Sequence, residues 1–157
     1  MTAAATIHAS AVLVGARAIL IRGPSGSGKS RLALALLQAA ERGALRLARL
    51  VADDRVHVEA CHGRLLVTPA PTLAGLLEVR GLGLRGLPHE PVAVVGLVVD
   101  LGLPEPERLP APANQRTEIA GVVLPRLAVA QGCEPLALVL EYLHSRDAQS
   151  KFCSAGP

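Results

Sequence analysis

Short apolar runs punctuated by Gly, Pro and Asp recur along the chain, and their spacing predicts alternating strands and helices. Residues 11–14 and 18–21, joined by Gly15-Ala16-Arg17, predict two strands and a tight turn. Strong helix formers follow from Ser30 to Arg42, and Gly43 supplies the stop. Residues 47–52 predict a strand that ends on Asp53-Asp54. Residues 56–60 and 65–68 alternate in polarity around Cys61-His62-Gly63-Arg64 and predict a hairpin. Pro69 and Pro71 break the pattern, residues 72–77 suit a short helix, and residues 78–84 mix two charges with two glycines, as loops do. Residues 92–100 form an apolar run suited to a strand buried on both faces. Residues 103–112 are too rich in proline for a helix or a central strand and predict an extended or mobile connector. Strands are expected over 117–124 and 127–130, and a helix over 135–145. Residues 1–146 then form one domain, with a disordered polar tail over 147–157.

Composition narrows the class. The 157 residues suit a single domain with a proper core. With one Phe, one Tyr and no Trp, that core must be built from Leu, Val, Ala and Ile. The net charge of +3 is dispersed and stacking aromatics are missing, so no nucleic-acid surface is expected. The three cysteines, Cys61, Cys133 and Cys153, are far apart with no metal or disulfide spacing, which fits a reducing compartment. The longest uncharged apolar stretch, residues 92–99, is too short to span a bilayer, and the N-terminus lacks a basic leader region. A cytoplasmic protein with no membrane partner is expected.

The tightest chemical constraint is Gly23-Pro24-Ser25-Gly26-Ser27-Gly28-Lys29-Ser30, a complete G-x-x-x-x-G-K-S phosphate-binding loop between an apolar strand and a helix. The glycines permit backbone conformations that turn successive N–H groups around an anion. The helix N-terminus adds partial positive charge. Lys29 can reach the outer phosphates and the Ser30 hydroxyl can bind Mg²⁺. Only two of the sixteen Lys and Arg residues are Lys, yet one stands where a slender ammonium is needed. The context predicts an α/β phosphate-loop fold. Asp53 and Asp54, at the end of the strand after the first helix, stand where such folds bring acids to the nucleotide; one can hold Mg²⁺ or its water and the other can act as a base.

Four elements in order resemble the catalytic domain of the HPr serine kinase/phosphorylase family: His8, the loop from Gly23 to Ser30, Val51-Ala52-Asp53-Asp54-Arg55-Val56, and Leu77-Glu78-Val79-Arg80-Gly81-Leu82-Gly83. The resemblance implies a fold of the HPr kinase and phosphoenolpyruvate carboxykinase type. It also implies an ATP- and Mg²⁺-dependent kinase that phosphorylates a serine of the phosphocarrier protein HPr and reverses the reaction by phosphorolysis. On the matching positions, Lys29 would bind phosphate, Ser30 and Glu78 would hold Mg²⁺, and Asp54 or Asp53 would take the serine proton. His8 matches an active-site histidine of the family, and Arg80 and Arg108 match arginines near its reaction centre.

The chain also departs from the family pattern in places. It begins just before the catalytic domain, whereas full-length members carry a further N-terminal domain. Residues 130–135 contain no Arg or Lys where the family has a basic turn linked to the reverse reaction. The segment 83–91 and the C-terminus are shorter than in the family, which weakens the expectation of its six-subunit assembly. Two other readings compete: a small-molecule kinase of the same fold, in which residues 81–91 would close a compact pocket, and a nucleotide-binding regulatory module without transfer activity.

Overall fold

The structure, a computed structural model, describes residues 5–105 and 107–153. Its centre is a mixed sheet whose strands largely follow the apolar runs. Strands β1 (Ala5–Val14) and β2 (Arg17–Arg22) form the expected hairpin, and helix α1 (Lys29–Glu41) follows the loop. Gly43, at φ 81°, ends that helix, with its N–H on the carbonyl of Ala40. Strand β3 (Ala48–Ala52) returns to pair with β1. The predicted hairpin is β4 (Arg55–Cys61) with β5 (Arg64–Pro69).

Strand β8 (Ala93–Leu103) is the long apolar run, parallel to β2 on one side and to β10 (Val122–Ala130) on the other. The central order is therefore β3-β1-β2-β8-β10, with β9 (Arg116–Ile119) against the start of β10. Strands β3, β2, β8 and β10 all run the same way, and the phosphate loop and the Asp53-Asp54 pair leave from their carboxyl ends. Open α/β sheets place ligands there. Strands β1 and β8 each serve two neighbourhoods. Residues 5–8 of β1 pair β4, and Ala93 and Val94 of β8 pair β5. The pairings β1-β4-β5-β8-β2-β1 thus close a circuit.

Two cores follow from this curl. Ala9, Ala11, Leu20, Val56, Val67 and Val98 belong to a cluster built by strands alone. Ile19, Ile21, Leu32, Leu36, Val99 and Val139 join the other side of the sheet to α1 and to α2 (Pro135–Cys153). Both are aliphatic, as the composition requires.

The structure corrects four expectations. Residues 72–77 are not a helix: one 3₁₀ turn (Pro71–Leu73) leads into strand β6 (Leu76–Val79). Residues 78–84 are not only loop, because β6 pairs with β7 (Gly83–Gly86) as a separate two-stranded sheet whose turn holds Arg80, Gly81 and Leu82. The break expected near residue 125 lies instead at Ala120-Gly121, both at positive φ, as in tight hairpin turns. Pro125 stays in β10 at the point where the strand changes partner from β9 to β8, a place where a missing N–H costs little. Finally, α2 does not stop at Ser145 but is helical through Cys153; the rest of the expected tail, 154–157, lies outside the described residues. Arg146 lies over the Tyr142 ring one turn back, 5.7 Å from its centroid, and donates to the Tyr142 hydroxyl at 3.0 Å, so the last turn before the expected tail carries its own side-chain contact.

Parallel register also builds a charge cluster on the face turned away from α1. Asp100 stands opposite Arg22. It accepts from Arg22 Nε at 2.8 Å, from a terminal nitrogen of the same guanidinium at 2.9 Å, and from Arg126 Nε at 2.5 Å. Burial alone would push the Asp100 carboxyl up, but hydrogen bonds and positive charge from Arg22 and Arg126 outweigh it and hold it below its usual 3.8. A lowered folded-state value means that the carboxylate stabilises the fold above the unfolded value and that this contribution fades as pH falls through the folded one. Asp100→Asn is expected to cost about 2 kcal/mol at neutral pH in urea unfolding. The gap from wild type should narrow below about pH 4; a gap that stays constant on acidification would rule out the carboxylate's charge as its cause.

Candidate active site

Strand, loop and helix meet where β2 hands the chain to α1. Gly26 and Gly28 hold φ of 80° and 98°, which a side chain would disfavour. The loop is closed by Ser27 N–H on the Pro24 carbonyl at 3.0 Å. Gly28 caps α1, and its carbonyl accepts from Leu32 N–H at 2.9 Å; the first-turn N–H groups have no partner within the helix. Lys29 is largely buried and donates through Nζ to the carbonyls of Gly23 (2.9 Å) and Pro24 (3.1 Å). Its ammonium is thereby held in the loop, against carbonyls that an anion's stronger charge can outcompete.

Asp53 and Asp54 diverge at the end of β3. The Arg55 N–H bonds the Asp53 carbonyl at 2.9 Å across Asp54, which sits at φ 70°. Aspartate tolerates that conformation better than most residues. The turn sends the two carboxylates different ways. Asp53 is 4 % exposed and accepts from Ser10 Oγ at 2.6 Å, Ser30 Oγ at 2.8 Å and the Glu78 backbone N–H at 3.2 Å. Asp54 stays open to solvent and pairs with His8 Nε2 at 2.8 Å.

A cleft of about 550 Å³ gathers these groups: Ser25 to Ser30 of the loop, His8, Asp53, Asp54, Glu78 and Arg80. The structure brings together every expected site residue except Arg108, Gly23 and Pro24. The last two form the base of the loop behind the lining. Arg108 is exposed on the connector and does not line the cleft. Ser10, Arg31, Leu34 and Val79 line it as well, and Ser10 is the residue that sequence reasoning missed. Strand period two puts Ser10 on the same side of β1 as His8, but the acid that gives it a role lies 43 positions away.

No three His, Cys, Asp or Glu side chains among the described residues gather as a metal cage. The donors present suit a different arrangement. Because Ser30 gives its proton to Asp53, its oxygen keeps lone pairs for a cation, and the Glu78 carboxylate is exposed in the same cleft. Mg²⁺ fits such a site, since it keeps several waters and is usually held by few protein oxygens together with substrate phosphates.

Fold and cleft together define a phosphate-loop α/β domain in which paired carboxylates face the loop. More narrowly, the chain belongs to the HPr serine kinase C-terminal domain family, whose model matches residues 1–87. It is 36% identical over 138 residues to the HPr kinase/phosphorylase of Geobacillus thermodenitrificans, covering 78% of this chain and 41% of that protein. It is 33% identical over 149 residues to that of Limosilactobacillus reuteri, covering 87% of this chain and 44% of the relative. The chain thus spans less than half the length of these curated relatives. Among solved structures, the Hpr(Ser) kinase/phosphatase from Coxiella burnetii superposes with a TM-score of 0.72 at 23% identity, over 94% of this chain and 99% of that one. At that identity the match speaks for the fold. No helix among the described residues is long and apolar enough to cross a membrane.

Removing the Ser10 hydroxyl leaves Asp53 one donor short in a buried position. Ser10→Ala is expected to lower the unfolding free energy by about 1–2 kcal/mol, measured by urea denaturation. An unchanged midpoint would show that the Asp53 network does not depend on β1.

Proposed function

We propose that this chain is the catalytic domain of an ATP-dependent protein serine kinase that phosphorylates the phosphocarrier protein HPr, with Mg²⁺ as cofactor. One observation carries the reading: the phosphate loop, a buried carboxylate bonded to Ser30 and an exposed carboxylate paired with His8 share one cleft. Phosphoryl transfer needs this division of labour, with positive charge around the phosphates and a base beside the incoming hydroxyl.

In the proposed reaction, Lys29 turns from the Gly23 and Pro24 carbonyls to the outer phosphates of ATP, and the loop N–H groups hold the rest of the polyphosphate. The acceptor serine oxygen attacks the γ-phosphorus in line as the bond to the β,γ-bridging oxygen breaks, giving phosphoserine and ADP. Asp54 takes the hydroxyl proton, and His8 holds the Asp54 carboxylate in place. The other carboxylate is buried and already accepts from Ser10, Ser30 and the Glu78 N–H, so it is not free to meet an incoming hydroxyl; its role is to orient Ser30. Mg²⁺, held by Ser30 and Glu78 with Asp53 behind them, would offset the negative charge of the phosphates. Arg80, at the tip side of the cleft, adds positive charge where the γ-phosphoryl group moves.

A protein acceptor suits the shape of the site. Residues 81–91 do not line the cleft, and Leu82 and Leu84 on the β6-β7 hairpin are 64% and 63% exposed. A small-molecule kinase would need that segment folded over the site. Phosphorolysis draws less support, because the turn joining β10 to α2 lacks a basic side chain.

Labelled γ-phosphate is expected to pass from ATP to a serine of purified HPr. Asp54→Asn should slow transfer by about 10²–10⁴-fold with nucleotide binding retained, whereas Lys29→Ala should weaken binding itself. Release of pyrophosphate from phospho-HPr on adding inorganic phosphate would restore the reverse reaction. Nucleotide binding without labelling of HPr would overturn the kinase reading in favour of a regulatory module.

A further inference from the structure

We propose that Gly102, which lies outside the phosphate-loop motif, is a positioning residue for that loop: the end of β8 is the seat against which residues 23–28 take their shape. The proposal rests on the nucleotide-binding reading of the cleft.

Parallel pairing sets Arg22 opposite Asp100, so the chain leaves β2 beside Leu101 and Gly102. There the two segments interlock. A Cβ placed on Gly23 would stand 2.5 Å from Ser27 Oγ within the loop, and on the β8 side 3.1 Å from the Leu101 carbonyl oxygen and 3.2 Å from its Cβ. Conversely, a Cβ placed on Gly102 would stand 3.2 Å from Pro24 Cδ and 3.4 Å from Ser27 Cβ. Each segment lacks a side chain where the other presses. Gly102 also holds φ 75°, which makes it the residue that both turns the strand end and leaves room for the loop.

The Ser27 hydroxyl is buried and has no hydrogen-bond partner among the described residues, so on the side of Ser27 that faces Gly102 the loop meets β8 by van der Waals contact. Displacing Pro24 would move the carbonyl that accepts from both Ser27 N–H and Lys29 Nζ. A methyl-sized change at Gly102 therefore reaches the phosphate cradle without touching the phosphate.

Asparagine separates the collision from the backbone cost, because it accepts the left-handed conformation yet carries a Cβ. Gly121→Asn is the matched control, since Gly121 has φ 79° and open space around its Cβ position. Gly102→Asn is expected to weaken binding of ATP–Mg²⁺ and of pyrophosphate by about tenfold or more, read by titration calorimetry, and Gly121→Asn to leave both unchanged. Without nucleotide, the Ser27 amide should exchange with solvent faster in Gly102→Asn than in wild type. Adding Pro24→Ala, which removes the ring carbon in contact, should recover part of the lost affinity. Wild-type affinity and wild-type Ser27 exchange in Gly102→Asn would overturn the proposal, as would a loss that Pro24→Ala does not relieve. Should the wild-type chain bind neither probe, the nucleotide reading falls, and the Ser27 exchange comparison alone decides whether β8 seats the loop.

Discussion

Asp53 is the fastening on which the site depends. Three donors from three elements converge on its carboxylate: Ser10 from β1, Ser30 from α1 and the Glu78 N–H from β6. A buried carboxylate is tolerable only when its lone pairs are met, and meeting them here ties the strand before the hairpin, the helix after the loop and an outlying hairpin to one point. Without that bonding the β6-β7 sheet would touch the body of the domain mainly through Leu77 and Val79. The acid that the sequence marks as chemical is thus also the structural centre of the cleft. Its neighbour Asp54 remains open because the turn between them reverses the side-chain direction.

The sheet explains why so much converges in so small a chain. Four strands run in one sense and end at the same edge, and β1, running the other way between two of them, brings His8 and Ser10 to that edge from its beginning. Antiparallel insertion into an otherwise parallel array lets the N-terminal strand supply site residues that no loop need carry. The β4-β5 hairpin then bridges β1 to β8 and closes the pairing circuit. That circuit makes an aliphatic core without aromatics possible, since small side chains fill a narrow interior.

Much of this was legible in the residues, and what was legible was local. The phosphate loop, the two strands and helix around it, and Asp53-Asp54 are contiguous patterns whose chemistry needs no distant partner. Ser10 stayed hidden because a serine in an apolar strand shows its role only when an acid 43 positions away arrives beside it. The Arg22-Asp100-Arg126 cluster was invisible for the same reason, its pairs separated by 78 and 26 residues. Other misreadings were conflicts between propensity and context. Pro125 suggested a break that the change of strand partner removes, and the glycines of residues 81–83 suggested a loop where they make a hairpin turn. Polar residues 147–153 suggested a tail where the helix in fact continues, braced one turn earlier by side-chain contacts such as Arg146 on Tyr142.

Arg108 shows how a positional match and a geometric one can part. Its place in the sequence follows β8 by a few residues, on a proline-rich connector of bends in which the Glu107 carboxylate accepts from the Ala111 N–H and from Asn114 Nδ2 ahead of a 3₁₀ turn over Pro112–Gln115, and it lies outside the cleft. A guanidinium on such a segment can act at the reaction centre only if the connector moves, and the connector leaves β8 at Leu103, immediately after Gly102. The end of β8 therefore joins the two parts of the molecule whose relative position matters most for transfer: the phosphate cradle on one side and the proline-rich connector on the other.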